Sequence, residues 1–169
     1  DALMTTNKTI DEMNIIVSNI LNIGRQEGAQ LEKPAEVDVI AILKQKANDF
    51  QLLAENEGKK LLIDFKPDGY MATIQVSLLN QIIQNFLQNA LKFTAKEKSV
   101  TLRSRQDDYG LLIEVIDEGC GIDESFDLFA PFKRQGNKSG VGLGLFLAKS
   151  AADALGAHMS IRNREDGID

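Results

Sequence analysis

The stretch LLNQIIQNFLQNALKF, from Leu78 to Phe93, decides how the rest of this chain is arranged. Placed on a helix at 100° per residue, one arc collects Leu79, Ile82, Ile83, Phe86, Leu87, Ala90 and Phe93, the composition of a core-facing side. The opposite arc collects Gln81, Asn85, Gln88, Asn89 and Lys92. A solvated helix face normally carries Glu and Lys pairs, which support the helix and are easily hydrated. This one carries amides, although Asn is a poor helix former, and a single charge. Amides donate and accept hydrogen bonds without adding net charge, so the face suits a polyanion with its metal ion. Asn85, Asn89 and Lys92, spaced i, i+4, i+7, lie along one line of it. Taken alone, the same pattern also describes an amphipathic helix with a Gln/Asn-rich outside, and the flanking sequence has to decide.

Composition narrows the classes. The 169 residues suffice for one domain with a real core plus a small appendage. Hydrophobic residues at 43% and charged residues at 26% describe a globular chain in water. A net charge of −6 argues against general nucleic-acid or acidic-membrane binding, which needs a basic surface, but leaves room for an anionic ligand in a locally positive pocket. The one cysteine, Cys120, allows neither an internal disulfide nor a Cys-based metal site, as expected in a reducing cytoplasm, and nothing marks it as redox-active. Apolar runs fall far short of ~18 residues, so neither a transmembrane helix nor a signal peptide is expected. The chain begins and ends inside apparent elements and is expected to be a piece of a longer protein.

In chain order, Leu3, Thr6, Ile10, Met13, Val17, Ile20 and Gly24 follow a 3–4 spacing that Ile16, Leu21 and Ile23 widen. That stripe predicts a long helix of a helical bundle, too marginal to stand alone. Gly24 to Pro34 is polar and holds two glycines and a proline, so it predicts a hinge. Asp38 is a plausible N-cap for a helix to about Glu57, with Ile40, Leu43, Ala47, Phe50 and Ala54 on one side and Gly58 closing it. Lys60 to Lys66 has strand character, Pro67-Asp68-Gly69 is a turn, and Tyr70 to Val76 contains a second short strand. Ser77 is the expected cap of the central helix. Ser99–Gln106 alternates apolar and polar residues, and Asp107-Asp108-Tyr109-Gly110 turns it into Leu111–Ile116, so the pair predicts an antiparallel hairpin. After an irregular stretch, Asp123 to Ser139, a helix is expected from Val141 to Gly156, then a strand from His158 to Asn163. Strands that pair with their neighbours rather than through crossovers predict an α+β sandwich with helices on one face.

Two glycine-rich turns flank the irregular stretch. Asp117-Glu118-Gly119-Cys120-Gly121-Ile122 sets a carboxylate at the end of a strand, directly before a sharply bent backbone. A carboxylate there can accept a hydrogen bond from an exocyclic amine such as that of adenine. Gly140-Val141-Gly142-Leu143-Gly144-Leu145 opens a helix, whose exposed N–H groups and positive end can cradle phosphate. It is not a Rossmann fingerprint, which would need glycine at Leu145, and Gly136-Asn137-Lys138-Ser139 is not a Walker A loop, which would need glycine at Asn137. Between the turns lies Phe129-Ala130-Pro131-Phe132-Lys133-Arg134, two aromatics for docking a loop and two cations within reach of terminal phosphates.

Asn85–Phe93 (NFLQNALKF), Asp117–Ile122 (DEGCGI), Phe129–Phe132 (FAPF) and Gly140–Leu145 (GVGLGL) resemble, in order and spacing, the N, G1, F and G2 boxes of sensor histidine kinases of two-component systems. The resemblance runs from about Leu3 to Asn163. It implies an α+β fold, the two-layer α/β sandwich of the Bergerat ATP-binding superfamily, preceded by one long helix of a dimerisation hairpin. Residues 1–26 then resemble the second helix of that hairpin, 27–37 the hinge, and 38–169 the catalytic domain. ATP or ADP with Mg²⁺ is the implied ligand, held under a flexible lid. By position, Asn89 resembles the Mg²⁺-ligating Asn and Asn85 the polar residue one turn earlier. Lys92 matches a phosphate-contacting Lys and Phe93 an aromatic beside adenine. Asp117 matches the adenine-reading Asp, with Gly119, Gly121 and Ile122 shaping its pocket. Arg134 resembles a lid arginine near the γ-phosphate and Phe132 a lid aromatic, while Gly140, Gly142, Leu143, Gly144 and Leu145 match the phosphate loop. Asn85, Lys92 and Arg134 form the implied catalytic set. The sequence departs from the pattern in three ways: it lacks the phosphoacceptor His, it carries Glu118 where the family often has Asn, and its lid is short. His158, the one histidine, falls in the last predicted strand and is expected to be structural.

The resemblance thus implies transfer of the ATP γ-phosphoryl to a histidine outside this chain, on an acceptor helix of the same or a partner protomer, for relay to a response regulator. The parent protein is expected to be a homodimer acting in the cytoplasm, with no nucleic-acid partner. Two alternatives are an ATP hydrolase of the same superfamily, like DNA gyrase or a mismatch-repair clamp, and a nucleotide-binding docking module without catalysis. One residue separates kinase from hydrolase. The hydrolytic relatives place Glu one turn before the Mg²⁺ Asn, where it can deprotonate water, whereas Asn85 is no base. An imidazole acceptor is itself nucleophilic and needs little beyond positioning and charge neutralisation.

Overall fold

The structure is a computed structural model and describes residues 32–123, 127–131 and 142–164. The expected N-terminal helix lies outside the described residues, as do Phe132, Lys133, Arg134, Gly140 and Val141. The elements run β1 (Ala35–Asp38), α1 (Val39–Asn56), β2 (Lys60–Phe65), β3 (Met71–Ile74), α2 (Val76–Phe93), β4 (Ser99–Asp107), β5 (Gly110–Asp117) and α3 (Gly144–Leu155).

Asp38 starts α1 as its sequence position predicts. Its Oδ1 accepts the Ile40 N–H at 3.0 Å, satisfying a donor the helix leaves open. The same oxygen accepts the Tyr70 N–H at 3.0 Å, and the Val39 N–H donates to the Tyr70 carbonyl at 2.8 Å. These bonds, the Tyr70 N–H first among them, hold the Asp38 carboxyl below its ordinary pKa. They also bind residue 70 to the end of β1, which directs the following strand to that edge. The short strand β3 therefore pairs antiparallel with β1, Val37 opposite Ala72. Residues 35–37, expected in the hinge, belong to β1, which at four residues is too short for its alternation to register in the sequence.

Neighbour pairing holds for only one pair of the main sheet, whose order is β2-β4-β5. β4 and β5 form the predicted antiparallel hairpin, with the Asp107 carboxylate accepting the N–H groups of Tyr109 and Gly110 at 2.8 and 3.1 Å. β2 instead pairs parallel with β4, Leu61 opposite Val100 and Phe65 opposite Ser104, so the connection crosses over through α2. This register aligns Leu61 and Phe65 with Val100 and Ser104 and brings Leu102 opposite Ile63; Leu61, Val100, Leu102 and Ser104 are buried, while Ile63 stays exposed. On the other side Asp64 meets the guanidinium of Arg105 and lies 3.5 Å from Arg103 Nε, and the Arg105 bond in particular lowers the Asp64 pKa.

The central helix is buried on two sides. Leu79, Ile83, Leu87, Ala90 and Leu91 pack with Leu43, Ala47, Phe50 and Ala54 of α1 and with Leu61, Val100 and Leu102 of the sheet. Leu78 is fully buried on another side, against Ala151 of α3 with Ile82 and Leu155 beside it. Burial of Leu78 and Leu91 goes beyond the single arc, because α2 sits between the sheet and α3. Ser77 is not the cap: α2 begins after Gln75, and Ser77 N–H donates at 3.0 Å to the carboxylate of Glu32, which neutralises the positive helix end from 45 residues away. At the other end Lys59 Nζ donates to the Leu91 carbonyl at 2.6 Å, a cation placed where the dipole favours one.

Two further expectations change. α3 starts at Gly144 rather than Val141, since Gly142 adopts φ +74°, a conformation outside a right-handed helix. It ends as predicted at Gly156, φ +70°. Residues 157–164 form no strand. The β5 ladder stops at Asp117, and Asn163 from this segment bonds the backbone of Ile122 beyond it, as described below.

Candidate functional site

Both glycine turns come to the amide side of α2. The second meets it near the middle of the helix. A methyl group at position 144 would lie 3.1 Å from Asn85 Oδ1 and 3.8 Å from Asn89 Nδ2, so the first turn of α3 approaches α2 at a distance only glycine leaves comfortable. Asn85 Nδ2 donates to the Gln81 carbonyl at 2.9 Å, which orients the amide with its oxygen toward Gly144. Asn85 and Asn89 are both half-buried. No side chain caps α3, whose first turn carries no acidic residue, so its opening N–H groups keep their affinity for an anion.

The first turn meets the C-terminal end of α2. A methyl group at position 119 would lie 2.6 Å from Asp117 Oδ1 and 3.2 Å from the Phe93 carbonyl. The Gly119 N–H donates to Asp117 Oδ1 at 2.8 Å, folding the carboxylate over the turn. Beside it Lys92 Nζ stands 5.2 Å from the centroid of the Phe93 ring, a cation–π distance. Asn85 and Phe93 are eight residues apart, about 12 Å along the axis at 1.5 Å per residue. One helix face therefore presents amides and a helix N-terminus at one end, and a carboxylate beside an aromatic and a lysine at the other. Such a span suits an elongated ligand with an anionic tail and a hydrogen-bonding ring.

Glu118 does not point at this face. Its Oε2 accepts the Ser99 N–H at 2.6 Å and the Ser99 hydroxyl at 2.8 Å, and these bonds, the backbone one first, lower its pKa. Lys98 Nζ donates to the Glu118 carbonyl at 3.3 Å. The residue that departs from the resemblance thus ties the turn to the start of β4. On the far arm, Asn163 bonds both backbone groups of Ile122. Neither tie is legible in the sequence, since their partners lie 19 and 41 residues away. The aromatic segment keeps local order: Asp127 Oδ1 accepts the Phe129 N–H at 3.1 Å, and Phe129 is half-buried. Cys120 and His158 are exposed. Among the described residues no three His, Cys, Asp or Glu side chains gather as a metal cage. No described helix is long and apolar enough to cross a membrane.

Comparison with known proteins adds three findings. Residues 74–168 match the family described as Histidine kinase-, DNA gyrase B-, and HSP90-like ATPase. Sensor protein kinase PilS of Pseudomonas aeruginosa is 29% identical over 162 residues, 92% of this chain and 30% of that protein. Sensor protein TorS of Escherichia coli K12 is 44% identical over 85 residues, 48% of this chain and 9% of that protein. The chain thus spans less than a third of these curated relatives. Among solved structures, full-length ShkA in complex with AMPPNP superposes with a TM-score of 0.70 at 27% identity, covering 92% of this chain and 34% of that one.

Proposed function

Because the chain belongs to the Histidine kinase-, DNA gyrase B-, and HSP90-like ATPase family, we propose that it is the ATP-binding catalytic portion of a sensor histidine kinase. It transfers the γ-phosphoryl of ATP to a histidine on an acceptor helix outside this chain, from the same or a partner protomer of a homodimer, for relay to a response regulator. Residues 1–26 contribute a helix of the dimerisation hairpin, the residues from 27 up to β1 the hinge, and β1 onward the catalytic domain, acting in the cytoplasm. The reading rests on one observation: the two glycine turns meet the amide face of α2, and Asn85 stands there with its amide tied to the Gln81 carbonyl. A carboxylate at this place would activate water. An amide leaves phosphoryl transfer to an acceptor that brings its own nucleophile.

The chain's residues divide the work by position. Asp117 accepts a hydrogen bond from the adenine amine while its other oxygen holds the Gly119 N–H. Phe93 lies beside the base. Lys92, the opening amides of α3 at Gly142 to Leu145, and Arg134 oppose the phosphate charge as it develops on the bond that breaks. Phe132 and Phe129 help close the lid over the phosphates, excluding water. The donor set fits Mg²⁺ bound chiefly through the nucleotide: Asn89, a half-buried amide, would offer it one hard oxygen. Held there, the ion would supply neutralisation of the phosphate charge. In the transfer the imidazole nitrogen forms the new P–N bond as the bond from the γ-phosphorus to the ADP oxygen breaks, and ADP carries away the electron pair.

The test is ATP-dependent labelling of a supplied acceptor helix by the chain and by its Asn89→Asp and Asp117→Ala variants. Both substitutions should abolish labelling, and labelling retained in both overturns the reading. Phosphate release without any acceptor, at a rate matching the labelling, would favour the hydrolase instead.

A further inference from the structure

The turn that carries Asp117 is pinned at three points. Within the turn, the Gly119 N–H holds Asp117 Oδ1. On the near arm, Glu118 is held by Ser99 and Lys98. On the far arm, the Ile122 N–H donates to Asn163 Oδ1 at 2.8 Å, and Asn163 Nδ2 donates to the Ile122 carbonyl at 2.7 Å. A single planar amide thus satisfies both backbone groups of one residue, as a neighbouring strand would. Only an amide side chain both accepts and donates in this two-point way: aspartate accepts only, and a hydroxyl is too short to reach both.

The approach is close enough to dictate the residue at position 121. A methyl group there would lie 2.8 Å from Asn163 Oδ1, and Gly121 also adopts φ +75°. Gly119 is fitted against the Phe93 carbonyl on the opposite side. The turn is therefore gripped between the end of α2 and Asn163. The β5 ladder ends at Asp117, and beyond it Asn163 holds both backbone groups of Ile122.

We propose that Asn163 is a positioning residue for base recognition, which fixes the Asp117 carboxylate where it reads the exocyclic amine of an aminopurine. The proposal rests on the nucleotide reading given above. Asn163 touches no ligand and acts through Ile122, Gly121 and the turn. Its effect falls on discrimination between bases, since the phosphate end of the site lies on α3 and the middle of α2.

The experiment measures, by calorimetry of the full chain in Mg²⁺ buffer, the affinities of ADP and of inosine diphosphate, which carries an oxo group where ADP carries the amine. Wild type should prefer ADP. Asn163→Ala should weaken ADP by about five- to tenfold, the value of one well-placed hydrogen bond, and leave inosine diphosphate within about twofold. Asn163→Asp, which keeps the acceptor for Ile122 N–H, should fall between. A merely structural brace would weaken both nucleotides alike, and that result overturns the proposal, as does an unchanged preference in both variants. Should Asn163→Ala fail to fold, the near-isosteric Asn163→Asp decides alone by its preference ratio. A wild-type chain with no preference for ADP overturns instead the assignment of Asp117 to the base, so the two failures are distinguishable.

Discussion

Replacing Gly119 by alanine isolates the role of the first glycine turn, because the added methyl group meets specific atoms rather than a forbidden dihedral. It would lie 2.6 Å from Asp117 Oδ1 and 3.2 Å from the Phe93 carbonyl, the first distance shorter than side chains tolerate. The Phe93 carbonyl belongs to the last turn of a buried helix and cannot retreat, so the carboxylate must. Its bond to the Gly119 N–H is then lost, about 1 kcal/mol, and residual crowding adds about 1–3 kcal/mol. Together these lower stability by about 2–4 kcal/mol in urea denaturation. Moving the carboxylate also removes its bond to the base, which weakens ADP about tenfold in calorimetry. Gly156→Ala is the control: nothing lies within 4 Å of the new methyl, so only its φ of +70° counts. It should cost about 1–2 kcal/mol and leave ADP binding unchanged. If Gly119→Ala binds ADP like wild type and is no less stable than Gly156→Ala, the packing of this turn against α2 is refuted.

Other consequences are equally direct. Lys59→Met should destabilise the domain by about 1–2 kcal/mol in urea denaturation, since it removes the cation bonded to the Leu91 carbonyl at the end of α2. Asp38, Asp64 and Glu118 all have pKa values lowered on folding, so the stability they contribute is present above the ordinary carboxylate range and is lost as pH falls through the lowered values. The urea midpoint should therefore drop from about pH 5 to about pH 3, and less steeply in Asp64→Asn, whose parent carboxylate bonds Arg105. An equal slope in that variant would show that the Arg105 pair contributes nothing. Asn85→Glu places a carboxylate beside Gly144, one turn before Asn89, and should raise acceptor-independent phosphate release while lowering acceptor labelling. Unchanged partition between water and acceptor in that variant would remove Asn85 as the residue that selects transfer over hydrolysis.

What the sequence by itself determined is local. Periodicity placed α1 and α2, alternation placed β4, strand character and turn signals placed β2 and β5, and single residues set boundaries wherever the bond partner lay within a turn. Asp38 caps Ile40 two residues on, Asp107 closes its own hairpin, and Gly58 and Gly156 end helices in conformations other residues resist. The ordered glycine turns and the amide face of α2 were legible for the same reason: each is a short pattern with its own mechanism. Tertiary structure alone decided which strand lies beside which. β2 crosses over to β4, and β3 goes to β1 because Asp38 holds Tyr70, a contact 32 residues long. It likewise decided that Glu32, not Ser77, supplies the acceptor at the start of α2, and that Glu118 and Asn163 brace the Asp117 turn from both sides. The physical reason is common to all of these. Such bonds form only once helices and sheet have docked and the loop entropy between distant residues has been overcome, so no local pattern of residues encodes them.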